Sequence, residues 1–292
     1  MTINRREFLK RAYQIGGLAG LYAMGGQTLI NEALAKSTFI SGHVAGGVVP
    51  YADWNETTEL VENCLVWLME GGATINEIGV DSRAAPLTLG NLVLTQNGSI
   101  AGQVAGWRTL DGINDYFSLT QATIDSLIAN ANKTWTVLFH INNWTGEDAD
   151  RVFDIRGQTI TELLNIVQGD AGWASSSGKL ALLHYEDSVT NIGKTANNFP
   201  TGEAWIAAWS DAVNTTRFGF TAAGSGAAGQ PTKWSDFAAG DRSTSSTLKG
   251  DYAGEAFNTQ RNIGANAAGA NYAPFKLKSV LMSDTCLIDN AS

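Results

Sequence analysis

The sequence contains little cysteine, histidine and charge, and these shortages argue against several classes of protein. Two cysteines, Cys64 and Cys286, and three histidines occur among the 292 residues, and none falls at Cys-x-x-Cys or cysteine–histidine metal spacing. A zinc-binding motif is therefore not predicted. The cysteines leave two alternatives open. They are either buried thiols or one disulfide between the first and last strand regions, and the disulfide requires an oxidising compartment.

Charged residues make up only 16% of the chain, against roughly 25% in an average globular protein. The net charge is −9, and the acidic excess lies beyond residue 35. Because phosphate backbones and anionic membrane surfaces would repel such a chain, nucleic-acid binding is disfavoured. No apolar run reaches the ~20 residues of a membrane-spanning helix. Nine tryptophans and eleven phenylalanines nevertheless supply enough apolar surface for a folded core.

The first 35 residues resemble a twin-arginine export signal. The pattern of that signal, two arginines followed by Phe-Leu-Lys, falls on Arg5, Arg6, Phe8, Leu9 and Lys10. A weakly apolar stretch and an A-x-A cleavage pattern at Ala33 and Ala35 follow. The resemblance implies export to the periplasm, the cell surface or the medium. The alternative is an uncut N-terminal helix that docks into an assembly such as a virion, an expectation that the start of the chain at Met1 favours.

Residues 36–62 are expected to form a linker or anchoring arm. After them, the sequence consists of short apolar runs separated by turn residues. In TWTVLFHINNW, the side chains of Trp135, Val137, Phe139 and Ile141 alternate with polar ones, with Leu138 as the exception, which indicates a half-buried strand. The last run, FKLKSVLMSD, places Leu277, Ser279 and Leu281 opposite Lys276, Lys278, Val280 and Met282. Helical pattern is scarce outside 121–128. Residues 222–274, rich in Gly, Ala, Ser and Asn, are expected to form a long loop region within one domain spanning 63–292.

The order of these runs resembles the laminin-G-like, concanavalin-A-like jelly-roll family over residues 64–289. The resemblance is carried by CLVWLMEGG with VDSRAAPLTL, by LDGINDYFSL, by TWTVLFHINNW and by the closing RNIGANAAGANYAPFKLKSVLMSD. It implies an all-β fold, a two-sheet antiparallel jelly-roll sandwich, preceded by an N-terminal helix and an extended arm. It also implies that the first and last strands are adjacent, which supports a disulfide between Cys64 and Cys286.

Enzymes of this architecture cut glycans, and the hydrolases need carboxylates at alternate positions of one strand, as in Glu-x-Asp-x-x-Glu. No such run occurs. The sequence therefore predicts a non-catalytic, exported or surface-displayed domain that binds a glycan or another surface in adhesion. A structural subunit of a virion or other assembly, docked to further subunits through the N-terminal region, is the alternative. A polysaccharide-degrading enzyme is the second alternative.

Two sets of residues are candidate sites. Tryptophans beside polar loop residues, whose rings would stack on sugars, are Trp144, Trp173, Trp209 and Trp234. Trp135 and Trp205 are expected in the core. Relatives hold calcium at the rim of the sandwich, which implies a possible Ca²⁺ cofactor on Asp111, Asn114 and Asp115. A turn stabilised by the Asp and Asn side chains themselves explains the same three residues without a metal.

Overall fold

The computed structural model describes twelve stretches of the chain: 64–69, 76–81, 88–127, 134–145, 150–157, 163–168, 178–186, 189–211, 216–222, 230–245, 257–265 and 272–289. The expected leader (1–35), the expected arm (36–62) and Trp173 lie outside these residues. The described helical segments are too short and too polar to cross a bilayer.

Strands make up almost all of the described structure. The strands are β1 (Leu65–Leu68), β2 (Glu77–Asp81), β3 (Thr88–Asn97), β4 (Arg108–Asp111), β5 (Tyr116–Ser118), β6 (Thr134–Asn142), β7 (Arg151–Gly157), β8 (Leu163–Gln168), β9 (Lys179–Glu186), β10 (Val189–Asn198), β11 (Ala204–Asp211), β12 (Thr216–Ala222), β13 (Arg242–Ser245), β14 (Phe257–Ile263) and β15 (Pro274–Ser283). A two-turn helix, α1 (Gln121–Leu127), and a 3₁₀ turn at Trp234–Asp236 complete the described elements.

The strands form two antiparallel sheets. The front sheet runs β3-β2-β1-β15-β6-β11-β12-β13, with β4 also paired to β15, and the back sheet runs β10-β9-β8-β7-β14-β5-β3. The long strand β3 belongs to both sheets, because Leu94 pairs with β2 and Thr95 pairs with β5. The predicted all-β antiparallel sandwich is therefore confirmed. The first and last strands are neighbours, as expected, with Leu65 opposite Met282.

The main core lies between the two sheets and takes the predicted face of β6. The strand is not half-buried as predicted, because Thr136, Leu138 and His140 on its other face are buried as well. Trp135, Val137, Phe139 and Ile141 are fully buried in it. The ring of Phe139 meets the ring of Phe153 from the back sheet at a centroid distance of 5.3 Å. Burying large aromatic rings between the layers supplies much of the hydrophobic stabilisation of the sandwich.

Strand β15 differs from the predicted alternation. A bulge between Leu277 and Ser279 shifts the register against β6. The extra residue reverses which side chains face inward, so that Leu277, Val280 and Met282 share the main core. Ser279 and Leu281 consequently lie on the other face of the front sheet.

The outer face of the front sheet, which points away from the back sheet, carries a second apolar cluster. Its strand residues include Val66, Leu138, Trp205, Ala207, Trp209 and Leu281. Phe237 and Ile288 cover them, and a backbone bridge between Lys233 and Asp289 ties the two covering segments together. The close approach of this cover requires Gly219, because a Cβ atom there would lie 2.8 Å from the Phe237 ring.

The expectation of one long loop over 222–274 is wrong in two places. Strand β13 extends the front sheet at its edge, and β14 lies inside the back sheet between β7 and β5. Both strands consist mostly of polar residues, so they carry no apolar pattern that would identify them in the sequence. They form through backbone hydrogen bonds to neighbouring strands.

Candidate functional site

Two of the tryptophans expected to contact a ligand are buried, so this prediction is wrong for them. Trp144 is 2% exposed and packs edge-to-face on Phe199 and Phe275 in the main core. Trp209 is fully buried beneath Trp234 and Phe237. Trp144 is covered by Phe199 and Phe275, and Trp209 is covered by Trp234 and Phe237. Neither ring is therefore accessible to a ligand. Trp234 is half-buried and stays a predicted ligand-contacting residue.

The residues considered for calcium form a hydrogen-bonded turn after β4. Oδ1 of Asp111 accepts the N–H groups of Ile113 (2.8 Å) and Asn114 (3.2 Å). Oδ1 of Asp115 accepts the N–H of Ser99 at 2.8 Å, and burial raises the pKa of this carboxyl. This is the geometry of the side-chain-stabilised turn. Within the described stretches, no cluster of three or more His, Cys, Asp or Glu side chains is arranged to hold a metal ion.

The predicted disulfide is absent, because the structure holds both cysteines as thiols. Cys64 and Cys286 nevertheless belong to the same outer-face cluster. The Cys286 thiol donates to the carbonyl of Ile288 at 3.2 Å rather than bonding to a second sulfur. Burial raises the pKa of this thiol to about 11.

An aromatic row, defined as Trp107, His140 and Trp205, crosses the outer face of the front sheet. His140 stacks on Trp205 with ring centroids 4.3 Å apart and meets Trp107 edge-to-face at 5.1 Å. Strand register aligns the row, since His140 lies opposite Trp205 on β11 and opposite Ser279 on β15. His140 and Trp205 are fully buried, whereas Trp107 is half-buried. Trp107 therefore forms the accessible end of the row.

Two charged side chains border the aromatic row. Glu203, whose side chain is 25% exposed, lies 2.8 Å from Nε2 of His140 through Oε1. The ammonium group of Lys278 lies 5.3 Å from the centre of the Trp107 ring, which is a cation–π contact. Burial lowers the pKa of His140 to about 4, with Lys278 acting in the same direction and Glu203 opposing it. The imidazole is therefore neutral near pH 7 and donates from Nε2 to the Glu203 carboxylate.

Two buried polar atoms beside the row lack hydrogen-bond partners among the described residues. They are Nδ1 of His140 and Oγ of Ser279, on residues that face each other across β6 and β15. With the proton on Nε2, Nδ1 is an acceptor and the Ser279 hydroxyl is a possible donor.

A tight turn positions Trp107. Val104 and Trp107 exchange both backbone hydrogen bonds, at 3.0 and 3.1 Å, while Ala105 and Gly106 adopt φ values of 53° and 79°. These positive φ values are those of a two-residue hairpin of the primed type. The side-chain Oε1 of Gln103 accepts the N–H of Gly106 at 2.7 Å. These three hydrogen bonds hold the turn in one conformation. The turn thereby positions the indole of Trp107 against His140 and beneath the ammonium group of Lys278.

A second half-buried aromatic group lies at the other end of the same face. Trp234 meets Trp209 edge-to-face at a centroid distance of 5.6 Å. The guanidinium carbons of Arg242 and Arg217 lie 4.5 and 5.7 Å from the centre of the Trp234 ring. The outer face therefore carries one accessible tryptophan beside Trp205 and another beside Trp209.

Trp107, Glu203 and Lys278 were not among the sequence-based candidates. A signal for Trp107 is present in V-A-G-W, because an Ala-Gly pair between apolar residues fits a two-residue hairpin turn. The alternation of β6 does place His140 opposite the core face. No local pattern connects these residues to Glu203 or Lys278, since strand pairing and the β15 bulge bring them together.

No protein-family model matches the sequence, and no curated protein does. Among solved structures, the binding domain of botulinum neurotoxin DC in complex with rat synaptotagmin II is similar, at 7% identity and a TM-score of 0.47, covering 78% of this chain and 50% of that one. Domain 4 of AbnA, an extracellular arabinanase from Geobacillus stearothermophilus, in complex with arabinotriose, shares 16% identity at a TM-score of 0.47, covering 69% and 87%. A mutant of NanB sialidase from Streptococcus pneumoniae shares 11% identity at a TM-score of 0.41, covering 61% and 26%.

This chain thus spans about half the length of the neurotoxin binding domain. At such identities and TM-scores, none of these proteins carries a function over to it.

Proposed function

We propose that the chain is a non-catalytic glycan-binding domain that uses the outer face of the front sheet. The observation that carries the proposal is that Trp107, a half-buried ring held by a hydrogen-bonded turn, and the partly exposed carboxylate of Glu203 both contact His140. An accessible aromatic face takes the C–H groups of a sugar ring, and a carboxylate accepts the hydrogens of sugar hydroxyls.

The rigidity of the site favours binding. His140 holds Glu203 by a hydrogen bond and contacts Trp107 edge-to-face. Because Lys278 also lies over the Trp107 ring, both ligand-contacting groups are held in place before a ligand arrives. Pre-organised groups lose less conformational entropy on binding, which improves the affinity of a small contact area.

That the domain is non-catalytic is part of the proposal, and it rests on the sequence, which contains no Glu-x-Asp-x-x-Glu run. Glycoside hydrolysis commonly uses two carboxyl groups, about 5–10 Å apart, on either side of the scissile bond. Among the described residues of the aromatic row and its border, Glu203 is the only carboxylate. His140 and Ser279 are fully buried, so neither contacts a substrate in this conformation.

Binding of the purified chain to a broad panel of glycans, followed by calorimetric titration, tests the proposal. Trp107→Ala is expected to weaken binding by about tenfold or more, equivalent to about 1.4 kcal/mol. Tyr272→Ala is the matched control, because it removes another half-buried ring, one that packs on Tyr116 outside the row. Silence of the wild-type chain across the panel, or equal affinities for the wild type and Trp107→Ala, would contradict the proposal.

The proposed site of action is outside the cytoplasm, at the cell surface or beyond it. The twin-arginine pattern at Arg5 and Arg6 and the A-x-A pattern ending at Ala35 support this part of the proposal. The intact mass of the natural protein tests it, with cleavage after Ala35 as the expected result. A retained N-terminus in a purified particle would instead favour the structural-subunit alternative.

A further inference from the structure

Arg217 and Arg242, the arginine pair, reach the same aromatic ring from neighbouring strands. Arg217 lies opposite Trp209 in the ladder between β11 and β12, and Arg242 lies opposite Gly219 in the ladder between β12 and β13. This register directs both side chains to the outer face of the front sheet, where their guanidinium groups lie against Trp234. Both residues are half-buried.

The two arginines differ in their charge partners. Nη1 of Arg217 lies 2.9 Å from Oδ2 of Asp211, which neutralises it. Nη1 of Arg242 donates to the backbone carbonyl of Trp234 at 2.5 Å. Among the described residues, no carboxylate lies within ion-pair distance of Arg242, whose polar contact is with this carbonyl.

The geometry also fixes the direction of the remaining donors of Arg242. The contact of its Cζ with the Trp234 ring and the bond to the carbonyl restrain the guanidinium group. A guanidinium group has five N–H donors in a planar fork that matches the two oxygens of a carboxylate. Since one donor is used by the carbonyl, the rest of the fork can bind a planar anion with little loss of side-chain entropy.

We infer that Arg242 and Trp234 form a subsite for the carboxylate group of an acidic sugar. Arg217 provides an internal precedent, because a guanidinium group against the same ring already holds the carboxylate of Asp211. The inference rests on the proposed glycan-binding function and specifies the ligand as a glycan that contains uronic-acid-type residues.

Titration with a galacturonic acid trisaccharide and with the neutral galactose trisaccharide tests this subsite. The wild-type chain is expected to bind the acidic trisaccharide about tenfold more tightly. Arg242→Gln should abolish the preference, and Arg242→Lys should restore only part of it, because the ammonium group keeps the charge but loses the fork. Lys233→Gln is the matched control. It removes an exposed positive charge beside Trp234 in sequence and should keep the preference.

The outcomes separate the subsite from the wider function. Neutral binding that depends on Trp107, with no preference for the acidic trisaccharide, overturns the subsite and leaves the proposed function intact. An equal loss in Lys233→Gln and Arg242→Gln overturns it as well, because general attraction would then explain the preference. Tighter binding of a sulfated galactose trisaccharide would contradict the assignment to a carboxylate. Circular dichroism of each variant checks folding, and Arg242→Lys provides the reading if Arg242→Gln does not fold.

Discussion

The neutral, buried His140 makes the stability of this protein dependent on acid. Its pKa is lowered to about 4, chiefly by burial, whereas an unfolded histidine has a pKa near 6.5. Between these values the unfolded chain binds more protons than the folded chain, so the free energy of unfolding falls as the pH falls. Linkage over this window gives a loss of about 2 kcal/mol by pH 5 and about 3 kcal/mol by pH 4.

Urea unfolding at pH 7.5 and pH 5, followed by tryptophan fluorescence, measures this effect. His140→Gln removes the titrating group and should reduce the stability difference between the two pH values by about 2 kcal/mol relative to the wild type. The comparison cancels the other carboxyl groups and histidines, which both chains share. Glu203→Gln is the control: it removes the charge that opposes the lowered pKa and should keep the full acid sensitivity. Identical pH dependence in the wild type and His140→Gln would refute the buried neutral histidine.

Two further predictions concern the cover of the outer face. Gly219→Ala should destabilise the protein by about 1–3 kcal/mol, because the new Cβ would lie 2.8 Å from the buried ring of Phe237. Gly202→Ala, where no atom lies within 4 Å of the added Cβ, should leave the melting temperature unchanged, and an equal effect of both would contradict the packing. Because burial raises the Cys286 pKa from 9.0 to about 11, iodoacetamide should label this thiol roughly 100-fold more slowly at pH 8 than an unperturbed one. An intact mass lighter by two hydrogens would show the predicted disulfide and contradict the thiol form of Cys286.

The sandwich could be predicted from the sequence because one strong local signal recurs along it. The alternation of β6 identified the buried face from Trp135 to Ile141, and the predicted contact of the first and last strands is present as the pairing of β1 with β15. The prediction failed where backbone pairing decided the structure. The bulge at Ser279 reverses the faces of β15, and β14 carries too few apolar residues to identify it as an interior strand.

The site was harder to predict because its residues belong to segments that are distant in sequence. Trp144 and Trp209 were chosen for their polar neighbours in sequence, but neighbours in space bury them. Trp107 lies in a short turn, and only the fold brings Glu203 and Lys278 to it. Local sequence therefore identified the tryptophans as a class, and the tertiary packing determined which of them stay accessible.

The two accessible tryptophans have a common physical basis in β11. In the segment AWIAAWSD, Trp205 and Trp209 are four residues apart, so their side chains leave the same face of the strand about 13 Å apart. Both rings are fully buried. Trp205 stacks on His140, which in turn contacts Trp107, whereas Trp209 contacts Trp234 directly. One strand thus contributes a buried ring to the contacts of each half-buried tryptophan, which is why Trp107 and Trp234 lie on the same face of the front sheet.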